Sequence, residues 1–218
     1  MWVMFEQVPI FSSLSIEHLS RLEAISRQIS LEKGSALFSP GDISEGFFVV
    51  LDGTIRVFRV SPKGREISLE IAGPGSIVAG ASLFSEAYHC YAEALEDTMV
   101  CLIRRTPFLE LIETEKAFAF EWIRIHALEV MHLRNRLEEL TLKSPKARIA
   151  SYIIFLCEMK NASSATLPVH RKSLATLLGM AHETFYRTTK ELEDEGLVRF
   201  DGQRIEIVNR AELEKLLD

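Results

Sequence analysis

The sequence predicts an α+β fold in three parts: an N-terminal β-roll (jelly roll) over residues 1–115, a long helix over residues 116–143, and a C-terminal winged helix-turn-helix over residues 144–218. Short runs rich in Val, Ile, Phe and Leu, separated by turn residues, fill much of the first half. A helical repeat without Gly or Pro follows. The chain then ends in two short helical patterns around Gly179 and a hairpin pattern.

The β part contains three clear strand patterns. Ser15 is a good N-cap for a helix over residues 15–27, because Leu19, Leu22 and Ile25 follow at helical spacing. After this helix, strands are predicted over residues 46–51, 55–60 and 67–71. The turn Ser61-Pro62-Lys63-Gly64 joins the last two strands. A small all-β barrel or jelly roll is the expected architecture.

The long helix carries a heptad pattern of seven residues: Ala119, Ile123, His126, Val130, Leu133, Leu137 and Leu140. A seam sustained over about three heptads predicts a dimerisation helix and therefore a homodimer. At a d-type position of this seam, His126 can fix the register. The alternative is an ordinary amphipathic helix packed on its own domain, because Phe118, Trp122 and Ile125 widen the apolar face. Ser144-Pro145 ends the helix and is the predicted domain hinge.

The last part has the layout of a helix-turn-helix with a wing. Predicted in order are a helix over 146–159, a short strand at Leu167 and Val169, helices over 171–178 and 181–195, and a hairpin over 197–200 and 204–208. Gly179 supplies the turn between the two short helices, and Gly196 closes the second one.

The second short helix has two different faces. Its inward residues are predicted to be Met180, Phe185, Thr189 and Leu192. Five polar residues project together on the other side: His182, Glu183, Tyr186, Arg187 and Lys190. Arg187 can fork onto a guanine and Glu183 can accept from a cytosine amino group, so we expect this face to read double-stranded DNA. The alternative is an ordinary surface helix with mixed charges.

Charge is unevenly distributed along the chain, whose net charge is −6. Residues 1–142 carry 13 Lys and Arg against 20 Asp and Glu, a net charge of −7, whereas residues 143–218 carry 12 against 11, a net charge of +1. A near-neutral domain can bind phosphate when its positive groups lie on one face, and a dimer doubles that field. Composition is therefore compatible with DNA binding.

Composition also predicts the compartment. With 47% hydrophobic residues the chain can bury two cores without disulfides. No apolar run approaches the roughly 20 residues of a membrane span, and the N-terminus lacks a signal-peptide pattern. Cys90, Cys101 and Cys157 are odd in number, widely spaced and without a CxxC pair, which is typical of a reducing compartment. We expect a cytoplasmic protein without membrane contact.

Two motifs carry a family resemblance. The first is Pro40-Gly41-Asp42 followed by the strand and turn of residues 47–55, and the second is Glu183-Thr-Phe-Tyr-Arg187. Together they resemble the CRP/FNR family of bacterial regulators over nearly the whole chain, closest in look to its dissimilatory nitrate respiration and hybrid-cluster-protein regulators. The resemblance implies a dimer on a palindromic promoter site, RNA polymerase as a partner, and control by an effector. The family's base-contacting Glu and Arg correspond to Glu183 and Arg187, whereas His182 and Tyr186 depart from its pattern.

The resemblance also bears on the effector. In cyclic-nucleotide-binding members a Gly-Glu pair holds the ribose and an Arg-Ser or Arg-Thr pair holds the phosphate. Here Gly80 stands at the Glu position and Tyr88-His89 at the Arg-Ser position, so cyclic AMP is not expected. The cysteine cluster of oxygen-sensing members is also missing from the sequence.

Haem sensing of nitric oxide is what the nitrate-respiration branch implies, and it needs an axial His or Cys facing a cavity. His89 and His126 are the candidate haem ligands. The candidate effector-pocket residues are Tyr88, His89, Cys90, Trp122 and His126. Effector identity, target genes and the direction of regulation stay open at the level of sequence.

Other function classes find less support. The sequence lacks the nucleophile elbows, phosphate loops, paired carboxylates and metal-spaced ligands of common enzymes, which predicts a non-enzyme. A winged helix that binds protein rather than DNA, without a small-molecule effector, is the remaining alternative.

Overall fold

A computed structural model describes residues 14–217 together with Phe5, Val8 and Phe11. The chain divides into two compact units, Met1–Val130 and Met131–Asp218. This division falls inside the long helix, so the predicted hinge at Ser144-Pro145 lies within the second unit. Among the described residues no helix is both long and apolar enough to cross a membrane.

The elements that the sequence predicts occur in the predicted order, among further strands and short helices that it did not place. The first unit begins with α1 (Ile16–Ala24), β1 (Ser26–Leu31), β2 (Ala36–Phe38), β3 (Gly46–Asp52), β4 (Ile55–Val60), β5 (Glu66–Ala72), β6 (Ile77–Val78), a 3-10 helix (Gly80–Phe84), β7 (Tyr91–Ala94), β8 (Thr98–Arg104) and α2 (Arg105–Thr114). The long helix α3 (Lys116–Leu142) crosses the division. The second unit continues with α4 (Pro145–Met159), β9 (Ser164–Thr166), α5 (Arg171–Leu177), α6 (His182–Asp194), β10 (Val198–Asp201), β11 (Arg204–Ile207) and α7 (Arg210–Glu214).

Two four-stranded antiparallel sheets form the β-roll, in the orders β1-β8-β3-β6 and β2-β7-β4-β5. The central strands β3 and β8 of the first sheet are buried on both faces, and alternate residues of β3 enter different cores. Phe48 and Val50 face the interior of the roll, whereas Phe47 and Val49 pack toward the helices. The predicted jelly-roll architecture is confirmed.

Aromatic packing attaches the start of α3 to the roll. The Phe47 ring lies 4.7 Å from Trp122 and 4.8 Å from Phe108, measured between centroids. Phe118 is buried in the same cluster and Ile125 packs against it. Phe118, Trp122 and Ile125 thus pack the first turns of this helix on its own domain, as the alternative interpretation of the wide apolar face predicts.

The second unit is built around α4. Ser144 caps this helix by accepting from the Ala147 N–H, and Pro145 occupies its first position, where no intrahelical N–H is needed. A small sheet in the order β10-β11-β9 forms the wing hairpin and its neighbour. The winged helix-turn-helix prediction is therefore confirmed.

Some predicted boundaries are wrong. The first helix ends at Ala24 rather than residue 27, because Ser26–Leu31 pairs along β8 instead. The short strand of the second unit is Ser164–Thr166, not Leu167 and Val169. No element was predicted over α2 or α7, both of which are short helices. The predicted domains include Asp218 and several of the first 13 residues, which lie outside the described residues. The predicted absence of a signal peptide concerns the same N-terminal residues.

Tyr152 provides a test of packing in the second unit. Burial on α4 raises its pKa to about 12. An unfolded chain loses the tyrosine proton near pH 10, so stability from this group is complete below about pH 10 and falls as the pH rises toward 12. We expect Tyr152→Phe to flatten the decline of melting temperature over this alkaline range, measured by circular dichroism. An unchanged slope in the variant would contradict the assigned burial.

Candidate nucleic-acid interface

Helix α6 is anchored by one apolar face. Phe185 and Leu192 are fully buried, and Thr188 and Thr189 lie between them with little exposure. This spacing of three, four and seven residues puts all four on one side of the helix. The inward orientation predicted for Phe185, Thr189 and Leu192 is confirmed, whereas Met180 is half-buried and Thr188 was not anticipated.

The opposite face of α6 carries the predicted polar row. Glu183, Tyr186, Arg187 and Lys190 are all exposed. The two central side chains remain accessible, with Tyr186 at 49% exposure and the Arg187 side chain at 73%. An exposed row at the N-terminal end of the second helix is the geometry that lets side chains reach base edges in a major groove.

Arg187 is held only loosely. Its Nε lies 3.7 Å from Oε1 of Glu191 one turn along, and both side chains are at least half exposed. Exposed ion pairs of this kind contribute only about 0–1 kcal/mol. The guanidinium can therefore exchange this partner for a base edge at little cost. Glu183 lies in the first turn, where the helix dipole favours its negative charge.

His182 departs from the prediction. It was expected to project with the other four residues, but it is half-buried and its Nε2 atom is shielded from solvent without a hydrogen-bond partner. Because this edge of the imidazole is buried, only the other edge remains for contact with a ligand. Four residues, not five, therefore form the exposed row, and we define the reading row as Glu183, Tyr186, Arg187 and Lys190.

The wing is fastened to both helices of the motif. Arg171, at the start of α5, donates from Nη2 to the Gly202 carbonyl at 2.8 Å, and its guanidinium lies 4.8 Å from the Phe200 ring centroid. The Phe200 N–H donates to Oε1 of Glu193 on α6 at 2.8 Å. Sequence analysis did not single out Arg171, because a contact between residues about thirty positions apart leaves no local pattern.

The predicted dimer seam is largely exposed in the single chain. Ile123, Val130, Leu133 and Leu137 are each about half exposed or more, and Leu140 is 36% exposed. Phe120 and Met131 extend this apolar surface around the helix. Large apolar side chains in a row that none of the described residues covers are typical of a protein–protein contact. The dimer interface stays a prediction, and the exposed apolar residues of α3 provide a surface for it.

His126 lies at the edge of this surface rather than in it. Its ring centroid is 4.5 Å from that of Trp122, and its Nδ1 lies 2.9 Å from Oε2 of Glu129. The imidazole therefore packs toward the β-roll, and its role in fixing the register of a partner helix stays a prediction.

Comparison with known proteins matches both parts of the chain. A family model of the cyclic nucleotide-binding domain covers residues 28–115, and one of the Crp-like helix-turn-helix domain covers residues 147–216. The "Probable transcriptional regulator flp" of Lacticaseibacillus casei is 28% identical over 208 residues, covering 95% of this chain and 94% of the relative. The chain belongs to the CRP/FNR family of transcription regulators.

Further relatives agree with this assignment. "Nitrogen fixation regulation protein FixK" of Bradyrhizobium diazoefficiens is 28% identical over 95% of this chain and 89% of its own length. The "Cyclic AMP receptor protein" of Thermus thermophilus is 26% identical over 95% and 96%. The solved structure of FixK2 from Bradyrhizobium japonicum shares the fold, with a TM-score of 0.77 at 24% identity over 88% of this chain and 97% of that one. As a CRP/FNR regulator the chain is not an enzyme, and the nitrate-respiration branch stays a prediction.

The candidate effector residues of this CRP/FNR protein are not brought together. Tyr88 and Cys90 pack in the interior of the roll, and His89 beside them is exposed. Trp122 belongs to the core on the other face of sheet β1-β8-β3-β6, with His126 against its ring. The five residues therefore do not line one common pocket.

Tyr88 and Gly80, at the positions where the resemblance implies contacts with a cyclic nucleotide, both contact other parts of the chain. The Tyr88 hydroxyl donates to the Gly46 carbonyl at 3.0 Å, and burial raises the pKa of Tyr88, which keeps this donor protonated. A side chain at Gly80 would begin 3.1 Å from Cε1 of His126. Neither position offers the carboxylate or the cation that a buried ribose and phosphate require.

Haem does not fit the described residues. His89 is exposed on the surface of the roll rather than facing a cavity. His126 lies against Trp122 and Gly80, and the face between the roll and the start of α3 is filled by Phe47, Phe108, Phe118 and Trp122. A porphyrin needs an open slot beside its axial ligand, and neither histidine has one among the described side chains.

Two adjacent aromatic residues test the two faces of α6. Phe185→Ala should reduce the free energy of unfolding by about 3–5 kcal/mol, because it empties a fully buried site. Tyr186→Ala on the exposed face should change it by less than about 0.5 kcal/mol. Urea unfolding of both variants measures the difference, and similar losses in the two would show that the faces are misassigned.

Proposed function

We propose that this CRP/FNR regulator binds a palindromic site in double-stranded DNA as a homodimer, through one copy of the reading row in each half-site. The observation that carries the proposal is the opposition of two faces on α6. Its buried residues fix the helix, and its exposed residues have the donors and acceptors that match base edges. The match to a relative named as a probable transcriptional regulator, which covers 94% of that relative, supports the same role.

Each side chain of the reading row has a specific task. Arg187 donates both arms of its guanidinium to O6 and N7 of a guanine after it releases Glu191. Glu183 accepts from the N4 amino group of a cytosine. Lys190, farther along the helix, neutralises a phosphate, and Tyr186 lies between them in reach of either a base or the backbone.

Dimerisation gives the site its symmetry. The exposed apolar row of α3 is a surface that a second copy of the same helix can cover by two-fold symmetry. Two reading helices related in this way contact half-sites about 34 Å apart, one turn of DNA. The dimer also doubles the positive groups offered to phosphate, which offsets the low net charge of a single reading domain.

We propose further that the β-roll does not bind cyclic AMP. Tyr88 and Gly80 stand where the resemblance implies the groups that hold phosphate and ribose. The Tyr88 hydroxyl is bonded to the Gly46 carbonyl, and His126 lies against Gly80. An effector, where one acts, shifts the balance between two arrangements of the regulator only if it binds them with different affinity. Haem and nitric oxide are not part of the proposal. RNA polymerase is the expected partner at a promoter.

The proposal is tested by selecting duplexes from a random pool at several salt concentrations. The expected outcome is a palindromic consensus and an affinity that falls steeply with salt. A winged helix that binds protein rather than DNA would select no palindrome and show no salt slope, and that outcome would overturn the proposal.

Arg187→Ala should relax the preference at one guanine of each half-site. The expected loss of affinity is about 1–3 kcal/mol for each half-site, because a bidentate contact disappears. Lys190→Ala is the matched control on the same helix face, and it should weaken all duplexes alike and reduce the salt slope by about one per half-site. Fluorescence anisotropy on wild-type and base-substituted duplexes separates the two effects. A consensus unchanged by Arg187→Ala would remove this residue from base recognition.

Cyclic AMP and cyclic GMP should produce no saturable heat on titration into the purified protein, because the buried phosphate would meet no cation at Tyr88. The Thermus thermophilus relative named cyclic AMP receptor protein is the positive control. Saturable binding with a 1:1 stoichiometry per chain would contradict the expected change of ligand class.

A further inference from the structure

The turn before the reading helix is held by arginines from two other helices. Nη2 of Arg136 on α3 donates to the Leu177 carbonyl at 3.0 Å. Nη1 of Arg148 on α4 donates to the Leu178 carbonyl at 2.6 Å and to the Gly179 carbonyl at 3.2 Å. Three successive carbonyls at the end of α5 therefore receive charged donors from outside the motif.

These carbonyls are the groups that a helix end leaves without intrahelical partners. Cations at a helix C-terminus are favoured by the dipole as well as by the hydrogen bonds, and part-buried positions strengthen both effects. The two arginines thus join helix α5 and its turn to α3 and α4 by directional contacts rather than by apolar packing alone.

Gly179 brings the same turn into close contact with the long helix. Its φ of +64° is in the left-handed region, and a Cβ there would lie 2.6 Å from Cδ2 of Leu140 and 3.2 Å from Nη1 of Arg148. Leu140, predicted as a seam residue, therefore packs against this turn. The turn has no room to shift along α3 without losing these contacts.

The break between α3 and α4 is also bridged. Nζ of Lys143 donates to Oε1 of Glu139 on the last turn of α3 and to Oγ of Ser151 on α4, at 3.0 and 2.9 Å. The predicted hinge at Ser144-Pro145 is therefore enclosed by polar contacts on both sides. Movement at this point would have to break several of them together.

We propose that Arg136 and Arg148 are positioning residues that lock the reading helix to the distal part of α3, residues 131–142. The inference rests on the proposed function, because it concerns a dimer on a palindrome. If the long helices of two copies pair, the same arginines set the distance between the two reading rows. Loss of the lock leaves each row able to read its half-site but no longer fixes their spacing.

The test compares affinities for four duplexes: the selected palindrome, the same palindrome with one base pair added or removed at its centre, and a single half-site. Arg136→Ala is expected to weaken binding to the native palindrome about tenfold, since a hydrogen bond from a charged group is lost in each chain. The preference for native spacing should shrink, while half-site affinity and salt slope stay at wild-type values because no DNA contact is removed. Arg148→Ala should act in the same direction.

Two further variants make the result interpretable. Arg136→Lys keeps the charge and one donor and should restore part of the spacing preference, which also covers the case in which Arg136→Ala fails to fold. Arg65→Ala removes an arginine from the exposed turn between β4 and β5 and should match the wild type on all four duplexes. Circular dichroism melting confirms folding of each variant.

The outcomes separate this inference from the proposed function. A wild-type spacing preference in folded Arg136→Ala and Arg148→Ala would overturn the positioning role while leaving DNA binding intact. An equal loss on the half-site would also overturn it, because Arg136 would then support binding of a single reading row. A wild-type protein that selects no palindrome would defeat the proposed function itself.

Discussion

The mutual packing of Phe47, Phe108 and Trp122 determines how α3 is oriented on the β-roll. Those contacts fix which side of α3 lies against the roll, and a helix with one side fixed has its other sides fixed as well. Ile123 and Val130 are consequently left exposed, and His126 is turned toward Gly80. The surface available to a second copy and the lack of space for a large planar group follow from the same aromatic contacts.

The sheet that contains Phe47 separates the interior of the roll from the core that holds α3. Because alternate residues of β3 point to opposite faces, Phe48 helps to close the interior of the roll while Phe47 holds the helix. Tyr88, where the resemblance implies a phosphate contact, packs against Phe38 and Phe48 in the interior of the roll. A domain matched by the cyclic nucleotide-binding model thus keeps that architecture and has different chemistry at the positions that would meet the ligand.

In the second unit, the proposed DNA contact depends on rigid support of the reading row. Phe185 and Leu192 hold α6 from beneath, Arg171 and Glu193 hold the wing, and Arg148 holds the turn. None of these groups needs to touch DNA to matter. Base edges are recognised only when the reading side chains are held within about 0.5 Å of the productive geometry. The contacts that orient a reading helix are therefore as necessary as the reading residues.

The sequence by itself determined the helix-turn-helix layout, the long helix and the exposed polar face of α6 apart from His182, because these depend on local spacing and turn chemistry. Glu183, Arg187 and the turn at Gly179 are all visible within short windows. Tertiary structure alone decided that residues 26–31 form a strand, since the pairing of β1 with β8 overrides a helical spacing that continues to Ile29. It also decided that Nε2 of His182 is buried, that His126 lies against Gly80 and that Arg136 reaches Leu177. The last two contacts join residues distant in sequence, whose approach depends on packing that no local pattern records.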